Sequence, residues 1–497
     1  MMPQDLSMTQ ASLLAVLTEQ NPWWSTGTVP GQLQREYRRM ELGDIKALLK
    51  DDKTLVITGP RRGGKTTAMY QLIQDLISDD GVDPRRILFV SFDNPGLVPY
   101  MGRPFLDILN SYLEGVLKEP LSGLRDRTYL FLDEVYALPG WARLLKGHFD
   151  LRTAMKVVVS GSSSPRLHAD AADALVGRAV MYHLPEMRFA DVAMFEHREN
   201  AKERAMIERV ATKRLRPGFE RAVADGDPRE FHRACEQAAS DLAHLEARMQ
   251  VMLLDYLTKD GYPENLGSRD YLECARSVVS AIDLAIYKDI VRSFKDRQPD
   301  LTASMLTLLA QSSGEPVESA SLGTALGMNV RTVERYVAHL KEVYLVHESL
   351  RFSGSAYKSH AKARKLYVAN VGVRNALLGL LNERLAANPR ELGRCAEAVA
   401  LDHVRSLMER NRPALSTRTY YWKGRGDKEV DIVAEVDGRV VPFEVKFRES
   451  IRPEDVKGLK AFLEEHGGTR FGVLVTRRTL AVKGDIVMVP LWLFLLV

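Results

Sequence analysis

Between Lys53 and Arg166, short apolar runs alternate with segments of helical periodicity. The runs are TLVITG, RILFVSFD, YLFLDE and KVVVSGSS. Their β-branched content, with helices between them, predicts a parallel sheet buried on both faces, an α/β nucleotide-binding core. From about Arg188 to Leu257 the pattern becomes helical and strongly charged, with Pro217 and the Asp225–Gly226 pair as the expected breaks. A helical lid or hairpin is predicted there. Residues 299–350 predict a helix and then a helix-turn-helix. Leu322, Leu326, Val333, Val337 and Leu340 recur at helical spacing, Gly327 and Asn329 mark a tight turn, and a β-rich tail supplies a wing. After a loop rich in Ser, Lys and His (353–365), the pattern predicts a last domain of helix (391–410), strands (418–447), helix (453–466) and strand (471–476). The closing run VMVPLWLFLLV is shorter than the ~20 residues of a spanning helix and predicts a buried strand or a docked tail, so no membrane partner is expected.

A chain of 497 residues exceeds one ordinary core and implies several domains. With 45% hydrophobic and 27% charged residues, the composition excludes a largely disordered protein. The net charge of +4 favours polyanionic partners without establishing one. Cys235, Cys274 and Cys395 lie far apart with no CxxC spacing, which supports neither a disulfide framework nor a cysteine-rich zinc site and suits a reducing cytoplasm. The N-terminus lacks the basic-then-apolar pattern of a signal peptide, so a cytoplasmic location is expected.

The stretch GPRRGGKT follows an apolar strand and precedes a helix, the setting that makes GxxxxGK[ST] a phosphate-binding loop. Gly59, Pro60, Arg61, Arg62, Gly63 and Gly64 would wrap the phosphates of ATP with backbone N–H groups, and the helix beginning near Thr67 adds its dipole. Lys65 would reach the β- and γ-phosphates, and Thr66 would bind Mg²⁺. At the tip of YLFLDE, Asp133 is the expected metal contact and Glu134 the catalytic base, unless the two acids merely end a strand in solvent. VVVSGSSSP places Ser160, Ser162 and Ser163 at another strand end, with Ser162 the candidate γ-phosphate sensor or an ordinary turn residue. Arg178 is a candidate arginine finger toward a neighbouring subunit's nucleotide, or a surface arginine.

ITGPRRGGKTT, YLFLDEVYALPGWARLLK, VVVSGSSSPRL, LVGRAV, DYLTKDGYPE, RKLYVANVGVRNAL and EVDIVAEVDGRVVPFEVKF together resemble AAA-type ATPases of bacteria and archaea that carry a winged helix and a restriction-endonuclease-like C-terminal domain. The likeness runs over most of the chain, from QNPWW at 20–24. It implies an AAA+ fold related to origin-recognition ATPases, nucleotide between subunits and hence a homo-oligomer. In two respects the chain departs from the family: the stretch from about 195 to 250 is longer and more charged, and HLPEMRFADV stands where a Pro-Leu-Ser-Phe run is usual.

In the C-terminal stretch, strand alternation puts Asp431 near one strand's start and Glu444 and Lys446 on a single face of the next. Two carboxylates suit Mg²⁺ near a scissile phosphate, and the ammonium suits developing negative charge. This is the D…ExK arrangement of restriction-type and junction-resolving nucleases, with Glu397 on the preceding helix matching the acid that often completes it. A cross-strand ion pair, or a binding platform without cleavage, fits the same residues. On the helix-turn-helix, Asn329, Arg331, Thr332, Arg335 and His339 face away from the apolar stripe, toward a DNA groove or an oligomer contact. Lys358, Lys362, Arg364 and Lys365, beside Tyr357, form a candidate phosphate-tracking patch or a solvated loop.

The expected architecture is thus multidomain α/β: a parallel-sheet P-loop AAA+ core (1–187), a helical lid (188–298), a winged helix-turn-helix (299–372) and a restriction-endonuclease-like α/β domain (373–497). The expected function is an ATP-dependent ATPase acting on DNA, double-stranded or branched, Holliday junctions included. The competing reading is a nucleotide-switched signalling or scaffold ATPase whose C-terminal domain is a docking module.

Overall fold

The computed structural model describes residues 8–100, 105–138, 140–150, 154–162, 175, 177–353, 363–411, 419–426, 428–436 and 439–497. The chain divides into two units, Met1–Pro185 and Glu186–Val497. In the first, the strands β1 (Thr54–Thr58), β2 (Ile87–Ser91), β3 (Thr128–Asp133), β4 (Met155–Gly161) and β5 (Ala179–His183) form one parallel sheet in the order β2-β3-β4-β1-β5. Side chains alternate between its two faces. Val56, Leu88, Val90, Leu130, Leu132, Val157 and Val159 pack with Phe105, Tyr112 and Trp141. Leu55, Ile57, Ile87, Phe89, Phe131 and Val158 pack with Met69, Leu72 and Ile73 of the helix Lys65–Ser78. Both faces are therefore dry, as the four apolar runs imply. The strand β5 lies outside those runs, and its half-buried residues close one edge of the sheet.

At the opposite edge, β2 would present unpaired backbone groups. The segment after the helix Met8–Gln20 satisfies them with side chains. The Asn21 amide donates to the Phe89 carbonyl at 2.8 Å and accepts from its N–H at 2.6 Å. Gln20 accepts from Ser91 N–H at 2.7 Å, and the indoles of Trp23 and Trp24 both donate to the Ile87 carbonyl. The QNPWW stretch thus does the work of a missing sixth strand.

The second unit is built on a nine-stranded mixed sheet in the order β13-β14-β12-β11-β10-β9-β7-β8-β6. Its strands are β6 (Pro316–Val317), β7 (Val346–Arg351), β8 (Arg364–Val368), β9 (Thr419–Lys423), β10 (Glu429–Val436), β11 (Arg439–Lys446), β12 (Gly472–Thr476), β13 (Ala481–Lys483) and β14 (Ile486–Pro490). Helices Pro299–Gln311, Ser319–Leu326 and Val330–Glu342 precede the β7–β8 hairpin, with β6 beside β8. Gly327 takes φ 66° at the turn between the second and third of these helices, and the Asn329 side chain caps the third by accepting from Thr332 N–H. Leu322, Val333, Val337 and Leu340 are buried in the core beneath, with Leu326 packed against it.

The hairpin does not stand apart. Parallel pairing of β7 with β9 joins it to the C-terminal strands in one sheet. Helices Arg216–Asp225 and Pro228–Asp241, from the segment expected to form a lid, pack on that sheet through Phe219, whose ring lies 6.3 Å from Phe443 of β11. Pro217 ends no helix: it follows a π-helical turn, Ala211–Leu215, within one continuous run of helical residues. Gly226, at φ 70°, ends that helix beneath the Arg470 side chain. The apolar C-terminus forms β14 and the buried helix Leu491–Phe494. No described helix is long and apolar enough to cross a membrane.

Replacing Asn21 by Ala strands a buried N–H and a buried carbonyl of Phe89, at a cost of about 2 kcal/mol. The expected outcome is an earlier urea midpoint followed by tryptophan fluorescence; an unchanged midpoint contradicts the edge-clamp assignment.

Candidate functional site

The phosphate loop joins β1 to the helix Lys65–Ser78. Gly59 has φ 150°, and a Cβ there would come within 2.1 Å of the Leu184 carbonyl oxygen, so only glycine fits. Gly64 enters the helix at φ 89° with no side-chain cap, which puts the positive end of the helix dipole at the end of the loop. Arg62 also adopts a left-handed conformation, at φ 59°, at a backbone cost of about 1 kcal/mol. Lys65 is buried and donates to the carbonyls of Gly59 and Pro60 at 3.0 and 2.8 Å. Arg39, which sequence reasoning passed over, donates to the Gly63 and Pro185 carbonyls at 2.9 and 2.7 Å. It lies in a stretch of mixed charge with no motif to single it out.

Thr66 Oγ1 donates to Asp133 Oδ2 at 2.9 Å, and Ser160 donates to the other carboxylate oxygen. Burial raises the Asp133 carboxyl pKa, against those two donors and the Lys65 charge. Glu134 follows in a left-handed conformation, φ 53°, with its N–H 3.3 Å from Ser160 Oγ. Ser162 Oγ lies 3.5 Å from both Glu134 Oε2 and the Tyr136 hydroxyl, at the outer limit of a hydrogen bond. The structure thus brings Lys65, Thr66, Asp133, Glu134 and Ser162 to one end of the sheet; Ser163 lies outside the described residues. The glycine cradle, the open helix N-terminus and the hydroxyl–carboxylate pair fit a nucleotide triphosphate with Mg²⁺ on Thr66 and Asp133. Arg178 precedes β5 and accepts from Thr54 N–H at the far end of β1, roughly 16 Å of strand from its own phosphate loop.

A second cluster lies on β10 and β11 of the other unit. Asp431 Oδ2 accepts from Val445 N–H at 2.9 Å, and Glu444 Oε2 accepts from Asp431 N–H at 3.2 Å. Lys446 Nζ bonds Glu444 Oε1 and lies 3.7 Å from Asp431 Oδ2. Glu397, on the helix Pro389–Asn411, receives the Tyr367 hydroxyl at 2.7 Å and has Lys365 Nζ at 3.7 Å; that ammonium is also 2.7 Å from Glu429. Burial and the Asp431 charge push the Glu397 carboxyl pKa up to about 7 and that of Glu444 up to about 8. Burial works against the Lys446 charge, but Asp431 and Glu444 outweigh it and raise the ammonium pKa. Tyr367 and Glu429 were missed from sequence, because neither belongs to a local motif.

Among the described residues, no group of three or more His, Cys, Asp or Glu side chains is placed so that it could hold a metal ion as the side chains now stand. The donor chemistry nonetheless fits a hard divalent cation. Four carboxylates face two ammoniums, and Asp431 Oδ1 and Glu397 Oε2 accept no hydrogen bond among the described residues.

The candidate DNA residues disperse. Arg331 and Arg335 are exposed on the helix Val330–Glu342, with Arg335 over the Tyr336 ring, and Thr332 is partly exposed. Asn329 is spent as the helix cap. His339 is buried, its ring stacked on Phe294 at 4.1 Å, because its position falls on the packed side of the helix. Arg364 and Lys365 belong to β8 rather than a solvated loop. Arg364 binds Glu334 at 2.8 and 2.9 Å and Glu348 at 2.7 Å, and Lys365 is 4% exposed within the acidic cluster. Lys358, Lys362 and Tyr357 lie outside the described residues.

Residues 51–193 match the family model described as AAA domain. The match supports an ATPase of the AAA type. Residues 251–384 and 392–494 match two domains of unknown function, DUF8612 and DUF4143. Uncharacterized proteins of Mycobacterium tuberculosis and Mycobacterium bovis are each 24% identical over 413 residues, 82% of this chain and 74% of theirs. Among solved structures, the Aeropyrum pernix ORC1 protein in complex with DNA is similar at 14% identity and a TM-score of 0.30, over 72% of this chain and 96% of that one. A Walker-type ATPase of Pyrococcus abyssi is similar at 14% identity and a TM-score of 0.39, over 69% and 98%. At these scores the overall superpositions are poor, and the AAA assignment rests on residues 51–193.

Lys65→Ala is expected to abolish ATP binding in equilibrium dialysis. Glu134→Gln is expected to retain binding while phosphate release falls about 10²–10⁴-fold. Unchanged turnover in both variants contradicts the roles assigned to them.

Proposed function

We propose that this protein is an ATP-hydrolysing AAA-type enzyme that acts on DNA, structured or branched forms such as Holliday junctions above all, through a metal-dependent phosphodiester site in its C-terminal part. The observation that carries the reading is the convergence of Asp431, Glu444, Lys446 and Glu397 from two adjacent strands and a helix. Asp431 and Glu444 would hold the cation, with Glu397 completing the set. A divalent ion there supplies charge neutralisation for a scissile phosphate. The Lys446 ammonium, already beside both acids, stabilises negative charge that develops on the phosphate oxygens. The order helix, short strand, helix, helix, hairpin over 299–368 supports the winged-helix reading, and Arg331 and Arg335 stand exposed on its last helix for phosphate contact. ATP bound by Lys65 and Thr66 gates the DNA-bound state. Arg178, remote from its own phosphate loop, serves a nucleotide only in a second copy of the chain.

One set of observations favours the docking-module reading. Lys446 already neutralises Glu444, and Arg364 and Lys365 are spent in internal ion pairs, which leaves fewer cations for a polyanion.

The two readings part in one experiment, a four-way junction incubated with protein and Mn²⁺ at graded salt. The enzyme reading expects binding that weakens about 10³-fold or more between about 50 and 200 mM salt. It also expects nicking that Asp431→Asn reduces by about 10²-fold or more with binding retained. Absence of both binding and nicking at low salt leaves the docking module.

A further inference from the structure

The strand β8 divides its side chains between two environments. Leu366 and Val368 join the core under the three helices, and Arg364 on the same side pairs with Glu334 and Glu348. Lys365 and Tyr367, one residue out of phase, turn the other way. Lys365 passes over the Tyr421 ring, 5.2 Å from its centre, to reach Glu429 at 2.7 Å and Glu397 at 3.7 Å. Tyr367, 2% exposed, donates to Glu397 Oε1 at 2.7 Å. Gly314, at φ 85°, lies over this pair: a Cβ there would come within 3.0 Å of the Tyr367 ring and 3.5 Å of Glu397 Oε1. Burying an ammonium costs several kcal/mol unless it is closely paired. Both of the Lys365 partners belong to the C-terminal cluster, as does the acceptor of the Tyr367 hydroxyl.

We propose that Lys365 and Tyr367 are positioning residues of the carboxylate site: they anchor Glu397 through Oε1 and leave Oε2 for a divalent cation shared with Asp431 and Glu444. The site is then composite, part of it supplied by a hairpin strand that precedes the helix and strands bearing the acids. The hairpin that follows the exposed Arg331 and Arg335 helix thereby ends inside the site that receives the cation, so any movement of β8 shifts Glu397. This inference rests on the metal-site reading of Asp431 and Glu444.

The test is Mn²⁺ affinity of the full chain, measured without DNA or nucleotide from the electron paramagnetic resonance signal of free Mn²⁺, with thermal melting recorded on each variant. Tyr367→Phe removes one oxygen from a packed ring and is expected to weaken Mn²⁺ binding about tenfold. Lys365→Met is expected to weaken it by a similar factor, and Lys365→Arg to restore most of the loss. A melting change with Mn²⁺ affinity unaltered in Tyr367→Phe overturns the positioning role. So does tighter binding in Lys365→Met, which would make that ammonium a competitor of the cation. Asp431→Asn tests the underlying reading separately: if it leaves affinity unchanged, the cation site itself is misassigned, whatever the β8 variants do.

Discussion

Closely held negative charge, buried at Asp431 and Glu444 and half-buried at Glu397 and Glu429, is the constraint around which the C-terminal half is arranged. Glu397, Glu429, Asp431 and Glu444 are held close to one another with Lys365 and Lys446 as the neighbouring cations. An isolated buried carboxylate costs several kcal/mol, and the fold meets that cost in three ways. Backbone N–H groups of Asp431 and Val445 satisfy one oxygen of each strand acid, Lys446 pairs with Glu444 and Lys365 with Glu429, and Glu397 and Glu444 drift toward neutrality at pKa values of about 7 and about 8. With Glu397 and Glu444 protonated the two ammoniums balance the remaining carboxylates, whereas ionisation of all four acids leaves an excess of negative charge. A packed structural core has no use for that excess, and apolar residues of the same volume would be as stable. A site that takes up a divalent cation does have a use for it.

The phosphate-loop unit handles its own buried acid with neutral donors. Asp133 is paired with the Thr66 and Ser160 hydroxyls, groups that reorient without desolvating a second charge. The adjacent Glu134 sits in a left-handed conformation next to Ser162. Backbone strain of this kind concentrates where a side chain must be aimed rather than packed. Gly59, pressed against the Leu184 carbonyl, fixes the start of the loop, and Arg39 secures its far side through the Gly63 carbonyl. The two units therefore each place acids at strand positions, with hydroxyls in one and ammoniums in the other.

Much of this was legible in the sequence, and the misses have a common cause. The strands β1 to β4 were readable because burial on both faces demands unbroken apolar runs, whereas the half-buried β5 carries no such signature. The pairing of Glu444 with Lys446 was readable because strand alternation is local. The role of Lys365 was not: YKSHAKARK has the composition of a solvated loop, and only the packing of β8 against the helix bearing Glu397 makes its lysine internal. In the same way, nothing local to residues 216–241 shows that they cover β11, whose Phe443 meets Phe219 across more than two hundred residues of chain. Helix caps followed the opposite course. Asn329, a candidate for DNA contact by its place opposite the apolar stripe, stands one residue before a helix and is its cap.

The account's central claim is that the acids of β10 and β11 form a cation site that Lys446 guards. Anomalous diffraction at the manganese edge, on crystals of the full chain soaked in Mn²⁺, tests it directly. The account predicts a peak bound by Asp431 and Glu444, with Glu397 in reach and the Lys446 ammonium withdrawn from Glu444. No peak there, with Lys446 still bonded to Glu444 in the presence of saturating Mn²⁺, would contradict it.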